Sequence, residues 1–164
     1  MDELYVIARR VLLDALDALG EHRDATILVG AQAIYLHTGD ADLGVAEYTT
    51  DADLALDPTL LAEIPPLEQA LEGAGFYGST SAVGIWKTRR RTSASLDIDV
   101  QVDLLVPTTV SPGTGRRAAR LPGHGVSAAR KVDGLEGVLV DVAEHDIASL
   151  EPAEDPRIVR AKVA

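Results

Sequence analysis

The sequence predicts an α/β (α+β) fold, and three observations carry that reading. Apolar residues make up 46% of the chain while aromatics make up only 4%, so the core is built from Ala, Val, Leu and Ile rather than rings. A short apolar run, Thr26-Ile27-Leu28-Val29, meets Gly30 and passes into a helix-like stretch. Later segments alternate apolar and polar residues with the period of two that a half-buried strand requires. At 164 residues and 17.3 kDa the chain can bury one core and is cramped for two. A single domain over residues 1–164 is expected, with its core at about 25–106.

Leu4, Ile7, Ala8, Val11, Leu12, Ala15 and Leu19 recur at three- and four-residue steps and predict an N-terminal amphipathic helix that stops at Gly20. Glu3, Arg9, Arg10, Asp14 and Asp17 fall on its polar face. Thr26–Val29 reads as a strand, Gly30 as the turn out of it, and Ala31 to about His37 as a second helix. A loop rich in Gly, Asp and Ala runs from Thr38 to about Glu47 and leads to a strand at Tyr48–Leu56, closed by Asp57-Pro58. Leu60–Leu71 reads as a helix, interrupted or begun late by Pro65-Pro66 and ended by Gly73 and Gly75.

Ala82–Thr88 and Leu96–Val106 then form a hairpin through a basic turn, Arg89-Arg90-Arg91-Thr92-Ser93. In its second strand Leu96, Ile98, Val100, Val102 and Leu104 share one face, and Asp97, Asp99, Gln101 and Asp103 the other. Trp86 packs on a sheet face. Residues 111–131 are loop-rich and basic, including Arg116, Arg117, Arg120, Arg130 and Lys131. Two more short strands are expected at Val138–Val140 and near Ile158-Val159. Residues 157–164 read as an edge.

Composition narrows the function. The formal charge of −11 argues against a grip on duplex DNA, which draws on clustered Lys and Arg, but leaves room for a single-stranded end. With no cysteine there are no disulfides, thiolate zinc sites or cysteine nucleophiles. His22, His37, His124 and His145 share no zinc-binding spacing. No signal segment and no long apolar run are present, so a cytoplasmic protein without membrane attachment is expected.

The chemistry concentrates in Gly30-Ala31 after one strand, Asp51-x-Asp53 in the next and Asp103 in a later one. Residues two apart in a strand point to the same side, about 6–7 Å apart, so Asp51 and Asp53 project together and repel unless a cation lies between them. A third carboxylate on an adjacent strand completes an oxygen-only cage suited to magnesium. Asp97, Asp99 and Asp103 share one face, and any of the three can supply it. Gly30 lets phosphate oxygens approach the backbone, and a helix beginning at Ala31 aims free N–H groups and partial positive charge at them. Gln32, in the first helical turn, is a phosphate donor or a solvated amide, and Thr50 is a neighbour of the carboxylates or simply a β-former. Lys87, with Arg89–Arg91, is the basic candidate for a triphosphate or an RNA end, an exposed basic turn blunting an edge strand being the other reading; Arg116, Arg117, Arg120, Arg130 and Lys131 read as solvated charge.

Val29-Gly30-Ala31-Gln32, Thr50-Asp51-Ala52-Asp53-Leu54 and Val102-Asp103-Leu104-Leu105 together resemble the DNA polymerase beta-like nucleotidyltransferase superfamily, and within it the AbiEii-type and related toxin–antitoxin enzymes. The resemblance covers about Ala25 to Val106 and singles out Asp103 as the third carboxylate. It departs at Ala31, where the family carries a second glycine or a serine, and at Lys162-Val163-Ala164, where the family's core continues into helices, so that a further helix is expected to begin there and the C-terminal part to be incomplete; it also implies a distal basic residue, for which Lys131 is the candidate. It implies a mixed twisted sheet flanked by helices and transfer of a nucleotide from an NTP to an acceptor hydroxyl with loss of pyrophosphate. It further implies two magnesium ions on Asp51, Asp53 and Asp103, with Asp103 also able to take the acceptor's proton. The acceptor it suggests is a tRNA 3′ end or a protein hydroxyl, and the partner an antitoxin. A catalytically inactive member of the fold, serving as a binding module or antitoxin partner, is the rival reading.

Overall fold

The computed structural model describes residues 2–38, 49–111 and 113–164. Most of the expected loop at 38–47, and Tyr48 at the start of the expected strand, lie outside the described residues.

Helix α1 (Glu3–Ala18) is capped by Asp2, whose carboxylate accepts a hydrogen bond from the Leu4 amide at 2.9 Å, and it buries Val11, Leu12, Leu13 and Ala15. After a 3-10 turn the chain forms β1 (Thr26–Val29), α2 (Gly30–Thr38), β2 (Asp51–Leu56), α3 (Leu67–Gly73), β3 (Tyr77–Gly78), β4 (Ile85–Arg91), β5 (Asp97–Pro107), β6 (Arg130–Val132), β7 (Ala143–Ala148) and β8 (Ile158–Val163). The strands make one sheet in the order β3-β4-β5-β2-β1-β8-β7, with β6 also paired to β5. The β2–β5, β1–β8 and β5–β6 pairs are parallel and the others antiparallel. The sheet is therefore mixed and flanked by helices, as the sequence leads one to expect.

Strand register sorts the side chains into two unlike faces. Val163, Leu28, Leu54 and Leu104 are successive partners across β8, β1, β2 and β5, and all four are buried in the main core beneath α1, α2 and α3. One residue along each strand, the side chains point the other way. There Ile27, Val29, Ala55 and Leu105 form a small second cluster, covered by Val132, Leu135, Val138, Leu139 and Val142.

The structure corrects several local readings. Arg89, Arg90 and Arg91 lie within β4, where Arg89 faces Asp99 and Arg91 faces Asp97 across the hairpin; opposite charges at these cross-strand positions favour the strand. The turn falls at 92–96, where Ser95 takes φ 61°, the Leu96 amide donates to Thr92 Oγ1, and Leu96 itself is exposed. Helix α3, by contrast, makes the late start that Pro65-Pro66 imply, beginning at Leu67 after the two prolines, because the residue before a proline is kept out of helical geometry. Val138–Leu139 belong to a 3-10 turn and serve as cover for the second cluster instead of forming a strand. Ile158–Val163 is an internal strand between β1 and β7 and no helix begins there. Arg9 is not on a solvated face: it is buried.

Candidate functional site

The carboxylates occupy the second face, where the apolar cluster gives way to charge. Three cross-strand rows show the change. Ile27, Ala55, Leu105 and Arg130 are partners in the first. Val29, Asp53, Asp103 and Ile85 form the next, and Asp51, Gln101, Lys87 and Tyr77 the one after. Asp53 and Asp103 are thus direct neighbours on parallel strands, and Asp51 follows Asp53 on the same side. Asp99 and Asp97 lie beyond the end of β2, paired with Arg89 and Arg91, so Asp103 is the β5 carboxylate that stands opposite Asp53.

Gly30 fits the space that Asp53 leaves. It has φ +73°, and a Cβ there would lie 2.3 Å from Asp53 Oδ2. Only glycine accommodates both the left-handed backbone and the carboxylate. The glycine therefore brings the start of α2, which continues into Ala31, against Asp53 at Gly30.

The three carboxylates have different surroundings. Asp51 is exposed, and its Oδ1 accepts from Thr50 Oγ1 at 3.2 Å and Thr49 Oγ1 at 3.3 Å. Asp53 is half-buried; desolvation, then the charges of Asp103 and Asp51, raise its pKa above the ordinary carboxylate value against the smaller pull of Arg130. Asp103 is only 4% exposed. Its pKa is also raised, chiefly by desolvation, opposed by the Gln101 hydrogen bond and Arg130. Gln101 Nε2 donates to Asp103 Oδ1 at 2.7 Å, and Arg130 Nη2 to Oδ2 at 2.6 Å.

Arg130 reaches Asp103 because of another glycine. A Cβ on Gly84 (φ +73°) would lie 2.6 Å from the Arg130 amide nitrogen and 2.8 Å from the Leu104 carbonyl oxygen. Residues 127–130 can cross the end of β4 this closely only where no side chain intervenes. The Gly84 amide donates to the Ser127 carbonyl and the Leu104 amide to the Gly84 carbonyl.

The remaining candidates separate into those at the carboxylates and those elsewhere. Thr50 is bonded to Asp51 and Lys87 stands beside Gln101. Gln32 is 1% exposed: its Oε1 accepts from Arg9 Nε at 3.3 Å and its Nε2 donates to the Asp51 carbonyl at 3.1 Å. It holds the start of β2 in place and is not offered to a phosphate. The buried Arg9 completes this brace through Tyr5 Oη and the Ala148 carbonyl. Lys131 pairs with Val106, on the face opposite the carboxylates, and its Nζ donates to the Gly113 carbonyl at 2.5 Å. Arg130, one residue earlier, is the basic side chain of that segment that meets the site. Strand alternation already put Gln101 beside Asp103; nothing in the sequence distinguished Arg130 from Lys131.

The donor set is all oxygen and carries like charges in a partly desolvated patch, which suits a hard divalent cation. Asp51 and Asp53 could offer such an ion their carboxylates, while both oxygens of Asp103 already accept hydrogen bonds, from Gln101 and Arg130. Among the described residues, no three His, Asp or Glu side chains already stand in a metal-binding arrangement, and no helix is long and apolar enough to cross a membrane. No protein-family model, no curated protein and no solved structure matches the chain.

Proposed function

We propose that this chain is a magnesium-dependent nucleotidyltransferase that moves an NMP from an NTP to an acceptor hydroxyl. The observation that carries the reading is the row joining Asp53 on β2 to Asp103 on parallel β5, with Asp51 on the same face and the Gly30 turn against Asp53. Magnesium bound to these carboxylates supplies neutralisation of the polyphosphate and activation of the attacking oxygen. The chain's own residues do the rest. The amides at the start of α2 orient phosphate oxygens, Lys87 adds positive charge next to the site, and the brace from Arg9 through Gln32 fixes the strand that carries Asp51. Asp103, standing opposite Asp53, is the carboxylate to which the resemblance gives the acceptor's proton. A tRNA 3′ end or a protein hydroxyl as acceptor, an antitoxin as partner and a toxin's role follow from the sequence resemblance.

The test is incubation of the purified chain with magnesium, each α-labelled NTP in turn, and either total tRNA or the protein itself. Label is expected on one acceptor with one NTP, and at background for Asp51→Ala/Asp53→Ala, whose folding is checked by circular dichroism. Equal labelling by the double variant would refute the site. One observation favours a second reading: Asp103 is already neutralised by Arg130, as a non-catalytic binding module or antitoxin partner would allow. That reading expects magnesium-dependent NTP binding with no label on any acceptor.

A further inference from the structure

Among the described residues, Arg130 is the basic side chain bonded to a carboxylate of the site. Its ion pair with Asp103 measures 2.6 Å, with side-chain exposures of 39% for the arginine and 6% for the aspartate. The cation therefore reaches the solvent while the anion does not. Its Nε is buried without a hydrogen-bond partner, so the guanidinium is held through one nitrogen rather than through the two-pronged contact that makes arginine–carboxylate pairs strong. The backbone, by contrast, is fixed: β6 pairs with β5 at Leu105↔Arg130, and the Gly84 crossing holds the Arg130 amide. A firmly placed Cα with a singly held, solvent-reaching guanidinium describes a side chain that can change partners without the strand moving.

We infer that Arg130 is an exchangeable counterion: it occupies Asp103 until a divalent cation takes that carboxylate, and then transfers its guanidinium to the polyphosphate that arrives with the metal. The inference rests on the nucleotidyltransferase reading of the same site. It follows from charge. A charged, buried carboxylate beside two others is stabilised by a neighbouring cation, and the guanidinium on Asp103 Oδ2 stands where a metal taking that oxygen would lie. Once displaced, an unpaired guanidinium at the mouth of the site has the geometry to grip phosphate oxygens. Arg130 thus weakens binding of the bare metal and strengthens binding of metal with polyphosphate, so that the two enter together.

The experiment measures two affinities that need no turnover: Mn²⁺ alone, by electron paramagnetic resonance, and inorganic triphosphate at saturating Mg²⁺, by calorimetry. These are compared for the unsubstituted chain, Arg130→Gln, Arg130→Lys and Asp51→Asn/Asp53→Asn, each checked by thermal unfolding. For Arg130→Gln, Mn²⁺ binding is expected to tighten about fivefold, the scale of a partly exposed ion pair, while triphosphate binding weakens by about the same factor or more. Arg130→Lys, which keeps the charge, is expected to move both affinities the same way by less, and it carries the test if the glutamine variant fails to fold. Mn²⁺ affinity that is unchanged or weaker in the folded Arg130 variants overturns the exchange. If Mn²⁺ binding is nevertheless lost in Asp51→Asn/Asp53→Asn, the nucleotidyltransferase site survives that failure; no Mn²⁺ binding by any of the proteins overturns both.

Discussion

The two faces of the sheet differ in what their side chains do. On the first, the row Val163, Leu28, Leu54 and Leu104 is buried from one strand to the next and covered by helices. On the second, the apolar residues that the same strands bury are Ile27, Val29, Ala55 and Leu105, and beside them stand Asp53, Asp103 and Asp51. Strand alternation makes both faces from one backbone, so stability and chemistry are separated by a single residue step. The second face carries like charges in a partly desolvated place, and the first supplies the packing that holds them there.

The sharpest way to break this contrast is to cut into the packed face. Leu104→Ala, at a fully buried position next to Asp103, is expected to lose about 3 kcal/mol of stability through lost burial and the cavity left behind, as measured by chemical denaturation. The adjacent position should respond with the opposite sign. Asp53→Asn is expected to gain about 1 kcal/mol at neutral pH without metal, since the carboxylate it removes is disfavoured by burial and by its neighbours. Because the native pKa of Asp53 is raised, the cost of its charge is full above that pKa, shrinks as pH falls through it and is gone below the ordinary value of 3.8, and the gain from Asp53→Asn should shrink with it. A loss of stability in Asp53→Asn at pH 7 would show that the carboxylate is satisfied in a way its surroundings do not suggest.

A smaller effect sets the reference. Asp155, away from the site, has its carboxyl lowered to about 2, first by the hydrogen bond from Arg157; the same arginine also bonds Asp14 at 2.8 Å and Asp17 at 3.0 Å. Its native pKa is depressed, so its contribution is full above 3.8 and is lost as pH falls through about 2. Asp155→Asn is expected to lose under about 1 kcal/mol at pH 7 and to converge with the unsubstituted chain in an acid titration of stability. The two aspartates thus tilt the acid limb in opposite directions, one as a structural ion pair and the other as part of a crowded site.

What the sequence revealed was local. The strand–glycine–helix passage at Thr26–Gly30 and the alternation in Asp51–Leu56 and Asp97–Val106 are set by neighbouring residues; they placed Gly30, Asp51 and Asp53 before any contact was known, and left Asp97, Asp99 and Asp103 level until the family resemblance chose Asp103. What it concealed depends on distant partners. Arg9 reads as polar surface because its acceptors, Gln32 and the Ala148 carbonyl, come from remote parts of the chain. Arg130 and Lys131 are alike in sequence, and only the register of β6 against β5 sends one to the carboxylates and the other to the opposite face. The Val138–Val140 run has strand-forming residues, yet the second cluster needs a cover more than another ladder.

The position of β8 has a consequence for how the molecule assembles. Strand β1, four buried residues near the sheet's middle, pairs on one side with β2, its next strand in sequence, and on the other with β8, where Ile27 meets Lys162 and Leu28 meets Val163. Closing so long a loop is slow relative to forming a local contact. Until it closes, Thr26–Val29 is an uncovered apolar edge, the kind of surface that recruits strands from other chains. Refolding yield should accordingly depend on protein concentration more steeply than the short local elements of this chain would suggest.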